Sequence, residues 1–189
     1  MRGRLKLMSA AALMLGACTD PATTGTSASV EARDALGGQS SGAAVQKDLA
    51  TLRRVTARFH RFEAAQAAGW DTKITSCMVT AAGGMGFHYG NVGLIDGVAR
   101  VDEPELLLYE PEKNGRMRLV AVEYIVPYAA HPRDAAPPVL FDHEFKQVDD
   151  FQVWGLHAWV WEHNPSGMFA DWNPRVNCDN TTDVMVMAP

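Results

Sequence analysis

The chain has 189 residues, with 17 Lys and Arg against 22 Asp and Glu and a formal net charge of −5 at neutral pH. Arg2, Arg4 and Lys6 stand in the first 17 residues and every acid follows Ala17, so residues 18–189 hold 14 basic and 22 acidic side chains, a net charge of −8. That balance argues against general nucleic-acid binding, which rests on neutralising phosphates with Lys and Arg.

The chain opens with a basic segment, then an apolar run from Leu7 to Ala17. The run is too short to span a bilayer, which takes about 20 apolar residues. A basic start, a short apolar core and small residues at its end describe a secretory signal. The end reads Leu15-Gly16-Ala17-Cys18 and resembles the lipobox of bacterial lipoproteins, which implies cleavage before Cys18, lipid on its thiol and attachment to a membrane. Residues 1–17 are therefore expected to be a signal peptide. Two or more acyl chains make a stable anchor. No Arg-Arg pair is present, which favours the general secretion route. Thr19 follows the cysteine where an inner-membrane retention signal would place Asp, which favours the outer membrane in a cell that has one.

Residues 18–45 are mostly Thr, Ser, Ala and Gly. So few large apolar groups cannot offset the entropy of ordering, and the segment is expected to be a flexible tether with a reach of roughly 25–30 Å. Residues 46–189 then form a single domain, long enough for a full core.

Within it, residues 47–68 are expected to form one amphipathic helix. Leu49, Leu52, Val55, Phe59 and Phe62 recur at spacings of three and four, and Gly69 is a natural stop. Arg54, Arg58 and Arg61 fall on the opposite, solvated face. Strand patterns follow at 85–91, 105–110 and 116–126. The last two are separated by Pro111-Glu-Lys-Asn-Gly115, in which Asn-Gly signals a hairpin. Residues 128–138 read as loop and 139–149 as ambiguous. Residues 151–163, with three Trp, are expected to be one long strand. The tail has turns at Asn164-Pro165 and Asn173-Pro174 and is expected to be an ordered loop over the core. The fold class is α+β, an N-terminal helix packed on an antiparallel sheet.

With Cys18 committed to lipid, Cys77 and Cys178 are left as an even pair in a compartment that permits oxidation. A Cys77–Cys178 disulfide is expected, the alternatives being two free thiols or metal ligation. It would close a loop of about 100 residues and contribute roughly 4.7 kcal/mol on the chain-entropy model.

The segments Ala57-Arg-Phe-His-Arg-Phe-Glu-Ala-Ala-Gln-Ala-Ala-Gly-Trp70, Gly84-Met-Gly-Phe-His-Tyr89, Pro104-Glu-Leu-Leu-Leu-Tyr-Glu-Pro111, Leu119-Val-Ala-Val-Glu-Tyr124 and residues 156–174 resemble a group of small uncharacterised exported bacterial proteins. The resemblance covers most of the domain. It implies one compact unit and carries no activity.

No nucleophile elbow, HExxH, P-loop lysine, CxxCH or EF-hand loop is present. The Gly-rich run at 83–90 lacks dinucleotide-binding spacing, and its glycines are expected to allow a tight turn or close backbone packing. What stands out is polar residues within apolar strands: His88 between Phe87 and Tyr89, Glu123 in Val120-Ala-Val-Glu-Tyr-Ile-Val126, and His157 in Trp154-Gly-Leu-His-Ala-Trp-Val-Trp161. Strand alternation puts His157, Trp159, Trp161 and His163 on one face. A carboxylate in a half-buried strand needs a partner, and the two histidines are the natural ones.

Three uses fit such residues. The ordinary one is a structural hydrogen-bond network or a solvated face. The second is binding of Zn2+, Cu2+ or Fe2+ by two imidazoles and a carboxylate with open positions. The third is acid–base chemistry by His88 and Glu123 in a small hydrolase or isomerase. Asp142, His143 and Glu144 read as a surface cluster, His60 as a boundary residue of the helix and His131 as a loop residue. Three functional expectations follow: a membrane-anchored metal-binding module, a structural or partner-binding envelope protein without metal, and a small enzyme. The sequence names neither a protein nor a small-molecule partner.

Overall fold

The computed structural model describes residues 27–187, and their side chains over residues 42–187. The expected signal peptide and the lipidated Cys18 lie outside the described residues, as does the start of the expected tether. The chain divides into two units, Met1–Gly37 and Gly38–Pro189. The core and every side chain discussed below belong to the second. Among the described residues no helix is long and apolar enough to cross a membrane.

The helical segment differs from expectation. Helix α1 spans Ser27–Thr56, a 3-10 turn covers Ala57–His60, and α2 spans Phe62–Ala67. The break falls at Arg61, whose backbone is extended (φ −90°, ψ 110°). At the end of α1 the Thr56 hydroxyl donates back to the Leu52 carbonyl at 2.7 Å, a bond that competes with helix continuation. The break has a packing consequence. The Phe59 carbonyl, freed from a regular helix, accepts from the buried Tyr109 hydroxyl at 2.8 Å. Leu49, Leu52 and Phe59 are buried as the spacing predicted, and Arg54, Arg58 and Arg61 are exposed.

Ten strands follow: β1 Thr72–Lys73, β2 Cys77–Thr80, β3 Gly83–Gly90, β4 Leu106–Pro111, β5 Met117–Pro127, β6 Val139–Leu140, β7 His143–Glu144, β8 Lys146–Val148, β9 Val153–Ala158 and β10 Val184–Val186. The main sheet runs β10-β2-β3-β4-β5-β9-β8, with β1 also on β3, and β6 pairs β7 separately. All pairings are antiparallel except β10 with β2. The expected hairpin is present: β4 pairs β5 with Leu107 opposite Val122, and Asn114 Oδ1 accepts from the Arg116 N–H at 3.0 Å in the turn. The architecture is thus α+β.

The sheet is buried on both faces. Leu107, Tyr109, Val122, Tyr124 and Leu156 join Leu49, Leu52 and Phe59 in the core on the helix side. Leu106, Leu108, Ala121 and Ile125 alternate with them and face the other way, against Met78, Met85, Trp159 and Val176. This double burial is why β4 and β5 read as continuous apolar runs.

The tail covers the core as expected, and it also supplies a strand. Gly84 and Asn173 exchange backbone hydrogen bonds at 3.1 Å each way, and β10 joins the sheet beside β2. The backbones approach so closely that a Cβ on Gly83 would lie 2.3 Å from the Asn173 carbonyl oxygen. The glycines at 83 and 84 are therefore a packing device, as expected. The Cys77–Cys178 disulfide is formed, with Cα atoms 5.9 Å apart. Asn177 beside it donates through backbone and side chain to Glu110 on β4, at 3.0 Å each.

Candidate metal centre

His88, Glu123 and His157 converge. One ligand-type atom of each lies within 4.8 Å of the others, and the residues are 3%, 7% and 5% exposed. Register explains the convergence. Glu123 on β5 is directly opposite His157 on β9. His88 on β3 is opposite Leu108, which is opposite Ala121 on β5, so His88 stands two strands across and one pleat repeat along from Glu123, on the same face. The two side chains meet over β4, with His88 Nε2 reaching the Glu123 carboxyl group.

His88 Nε2 is 3.4 Å from Glu123 Oε2, and His157 Nε2 is 3.9 Å from Glu123 Oε1. The opposite ring nitrogens are also placed. His88 Nδ1 and the Thr75 hydroxyl are hydrogen-bonded at 2.8 Å, and His157 Nδ1 lies 3.8 Å from Asp171 Oδ1. When Nδ1–H of His88 donates to Thr75, its Nε2 lone pair faces Glu123. An outer hydroxyl or carboxylate that fixes the tautomer is the usual companion of a metal-binding histidine.

His157 Nε2 is buried and has no hydrogen-bond partner. Burial shapes all three charges. It pushes both imidazoles down to about 3, His88 also by the nearness of His157 and His157 also by Lys146. It pushes Glu123 up to about 8, with Asp171 and Glu105 adding repulsion. At neutral pH the imidazoles are therefore uncharged, the form that binds metal ions, while Glu123 holds a proton that an ion would displace on binding.

Metal–ligand bonds of about 2.0–2.2 Å at tetrahedral angles place two ligands of one ion about 3.3–3.6 Å apart. The sides of the triangle, up to 4.8 Å, thus have to close by as much as about 1 Å around an ion. Three protein ligands would leave further positions on an ion open. A cavity of about 740 Å³ lies against the three residues, lined also by Thr75, Asp171, Lys146 and a set of apolar side chains.

The other polar residues of the sequence lie elsewhere. Strand β9 ends at Ala158, so the expected long strand over 151–163 is not formed and its face is not shared. The Trp159 N–H turns to the Met168 carbonyl at 2.9 Å. Trp159 stays beside His157, rings 6.3 Å apart and near-parallel, but Trp161 packs edge-on to His60 on the helix side and His163 is exposed. Asp142, His143 and Glu144 are exposed, as expected. The imidazole of His131 is held in its loop by the Ala136 carbonyl at 2.6 Å.

Thr75, Asp171 and the cavity have no signature in the sequence. Gly155 has one: an isolated glycine inside a strand pattern marks close approach, and a Cβ there would lie 2.9 Å from Glu123 Oε1. Compared with known proteins, no family model, curated protein or solved structure matches the chain.

Proposed function

We propose that this is an exported, lipid-anchored protein whose domain binds a divalent transition metal ion through His88, Glu123 and His157. The observation that carries the reading is the unpaired His157 Nε2, buried 3.9 Å from the Glu123 carboxyl group among residues that line a cavity. A structural polar network satisfies its members. This cluster leaves the His157 Nε2 unpaired, while the outer nitrogen of His88 is bonded to Thr75. Two nitrogen donors and one oxygen donor suit Zn2+, Cu2+ or Fe2+. The anchor rests on the Leu15-Gly16-Ala17-Cys18 sequence and the basic, apolar segment before it. It would keep the metal site outside the cytoplasm, near a membrane.

The test is metal analysis of protein purified without a histidine tag, followed by thermal denaturation with added Zn2+, Cu2+ or Fe2+. A ligand at 100 times its Kd stabilises by about 2.7 kcal/mol, and His157→Ala is expected to abolish that gain. A metal-free protein whose melting temperature ignores all three ions rules the reading out. For the anchor, Cys18→Ala is expected to move the protein from the membrane to the soluble fraction.

A second reading is acid–base chemistry by His88 and Glu123 without metal. It is supported by their 3.4 Å separation beside the cavity. The same titration separates the two, because the pair needs no ion.

A further inference from the structure

The cavity has two chemical halves, and together they define a ligand. On one side are the three inward-facing donors of His88, Glu123 and His157. On the other the lining is apolar, chiefly Met78, Met85, Ile95, Ile125, Trp172 and Met187. The division follows from the sheet. Ile125 and Glu123 point to the same face of β5 because alternate strand residues do, and Met78 and Met85 approach that face from β2 and β3. A volume of about 740 Å³ lies within the range of pockets that enclose whole small molecules.

Charge fixes the head of the ligand. A divalent ion held by one carboxylate and two neutral imidazoles keeps a net positive charge. Any further ligand would have to come from this cavity, where an uncompensated charge among methionine, isoleucine and tryptophan side chains is expensive. A monoanionic oxygen donor cancels that charge and fills an open position. Its body must then be largely apolar, because most of the lining is apolar, with Gln147, Asp150 and Gln152 among the polar exceptions. At the exposed edge of the cavity, Lys146 is bound to Asp171 at 2.8 Å, so the lysine leaves the metal ion as the positive centre for such an anion.

We infer that the cavity binds an apolar monocarboxylate, its carboxylate on the metal ion and its hydrocarbon chain against Met78, Met85, Ile125 and their neighbours. This rests on the metal-binding reading and goes beyond it by naming the ligand class. Metal held as a purely structural element would need neither the cavity nor its apolar lining.

The test uses the Zn2+-loaded protein and calorimetric titration with acetate, butyrate and octanoate. Zn2+ binding is measured first, by itself. Affinity is expected to rise about fourfold per methylene from butyrate to octanoate, the factor that burial of one CH2 supplies. Octanoate is also expected to bind at least tenfold more tightly to the Zn2+ form than to the metal-free protein. Ile95→Gln, at a half-buried position outside the sheet, is expected to weaken octanoate at least tenfold while leaving Zn2+ affinity unchanged. The chain-length series on the unaltered protein stands even if that variant fails to fold. If Zn2+ binds but octanoate does no better than acetate, or binds both forms equally, the carboxylate inference fails and the metal reading survives. If Zn2+ does not bind, both fail together.

Discussion

Gly155 on β9 and Glu123 on β5 share one space: a Cβ on Gly155 would lie 2.9 Å from Glu123 Oε1. The glycine stands two residues before His157 and on the same face. Its missing side chain leaves the room in which the carboxyl group reaches towards both histidines. Backbone conformation does not demand glycine here, so the requirement is steric and local to the site.

Gly155→Ala therefore pushes the Glu123 carboxyl group off its position. Over-packing of this kind costs about 1–3 kcal/mol of stability. Loss of ligand placement is expected to weaken metal binding about 10- to 100-fold, in line with other supporting-residue changes. Competition titration against a chromophoric chelator measures it. An alanine variant with unaltered metal affinity would show that metal binding does not depend on this clearance.

Thr75→Val removes the hydroxyl bonded to His88 Nδ1 and keeps the side chain's shape. The His88 ring loses its tautomer lock and an Nδ1–H is left buried without a partner, at about 1–3 kcal/mol. Metal affinity is expected to fall about tenfold, and Thr75→Ser should restore most of it. If serine restores nothing, the hydroxyl is not what orients the ring.

Glu105 is 1% exposed, and its Oε1 is buried without a partner. Its Oε2 accepts from the Ile125 N–H at 3.2 Å. Burial pushes its pKa up from 4.5 to about 8. The folded protein then keeps this proton where the unfolded chain releases it, so stability falls with rising pH between about 4.5 and 8, at up to about 1.4 kcal/mol per unit. Glu105→Gln imitates the protonated group and should remove that part of the slope. The variant should match the parent near pH 4.5 and exceed it at pH 8. Parallel stability–pH curves for the two proteins would mean that Glu105 titrates normally.

The Cys77–Cys178 bond spans 101 residues of chain and precedes β10, which pairs in parallel with β2 beside Cys77. Replacing both cysteines by serine is expected to cost about 2–5 kcal/mol, read from urea denaturation. The Asn177–Glu110 bonds would still hold the tail near β4, so the loss should be uniform and not a separate unfolding of the tail. Equal denaturation midpoints for the two proteins would sink this expectation.

How far the sequence reached depends on whether the decisive forces were local. The β4–β5 hairpin was legible because Asn114-Gly115 favours its turn and the flanking runs are apolar. The burial of Leu49, Leu52 and Phe59 was legible from helical spacing. The break at Arg61 was not, because it is stabilised by a hydrogen bond from Tyr109, about 50 residues away in the chain. Nor was the end of β9 at Ala158, since Trp159 looks like a strand residue until Met168 takes its N–H. Parallel pairing of β10 with β2 depends on where the tail returns, which no local pattern records.

By itself the sequence determined that the chain carries an α+β fold, that Cys77 and Cys178 were candidates to pair, and that His88, Glu123 and His157 were polar residues set in apolar strands. Alternation could say which of its own neighbours each one shares a face with. Only the tertiary structure decided that the three share a face with each other, because that depends on the registers of β3, β4, β5 and β9, fixed by side-chain packing across the sheet. It also decided the cavity, the support from Thr75 and Asp171, and the clearance at Gly155. These are distances between segments far apart in the chain, and chain order does not encode them one residue at a time.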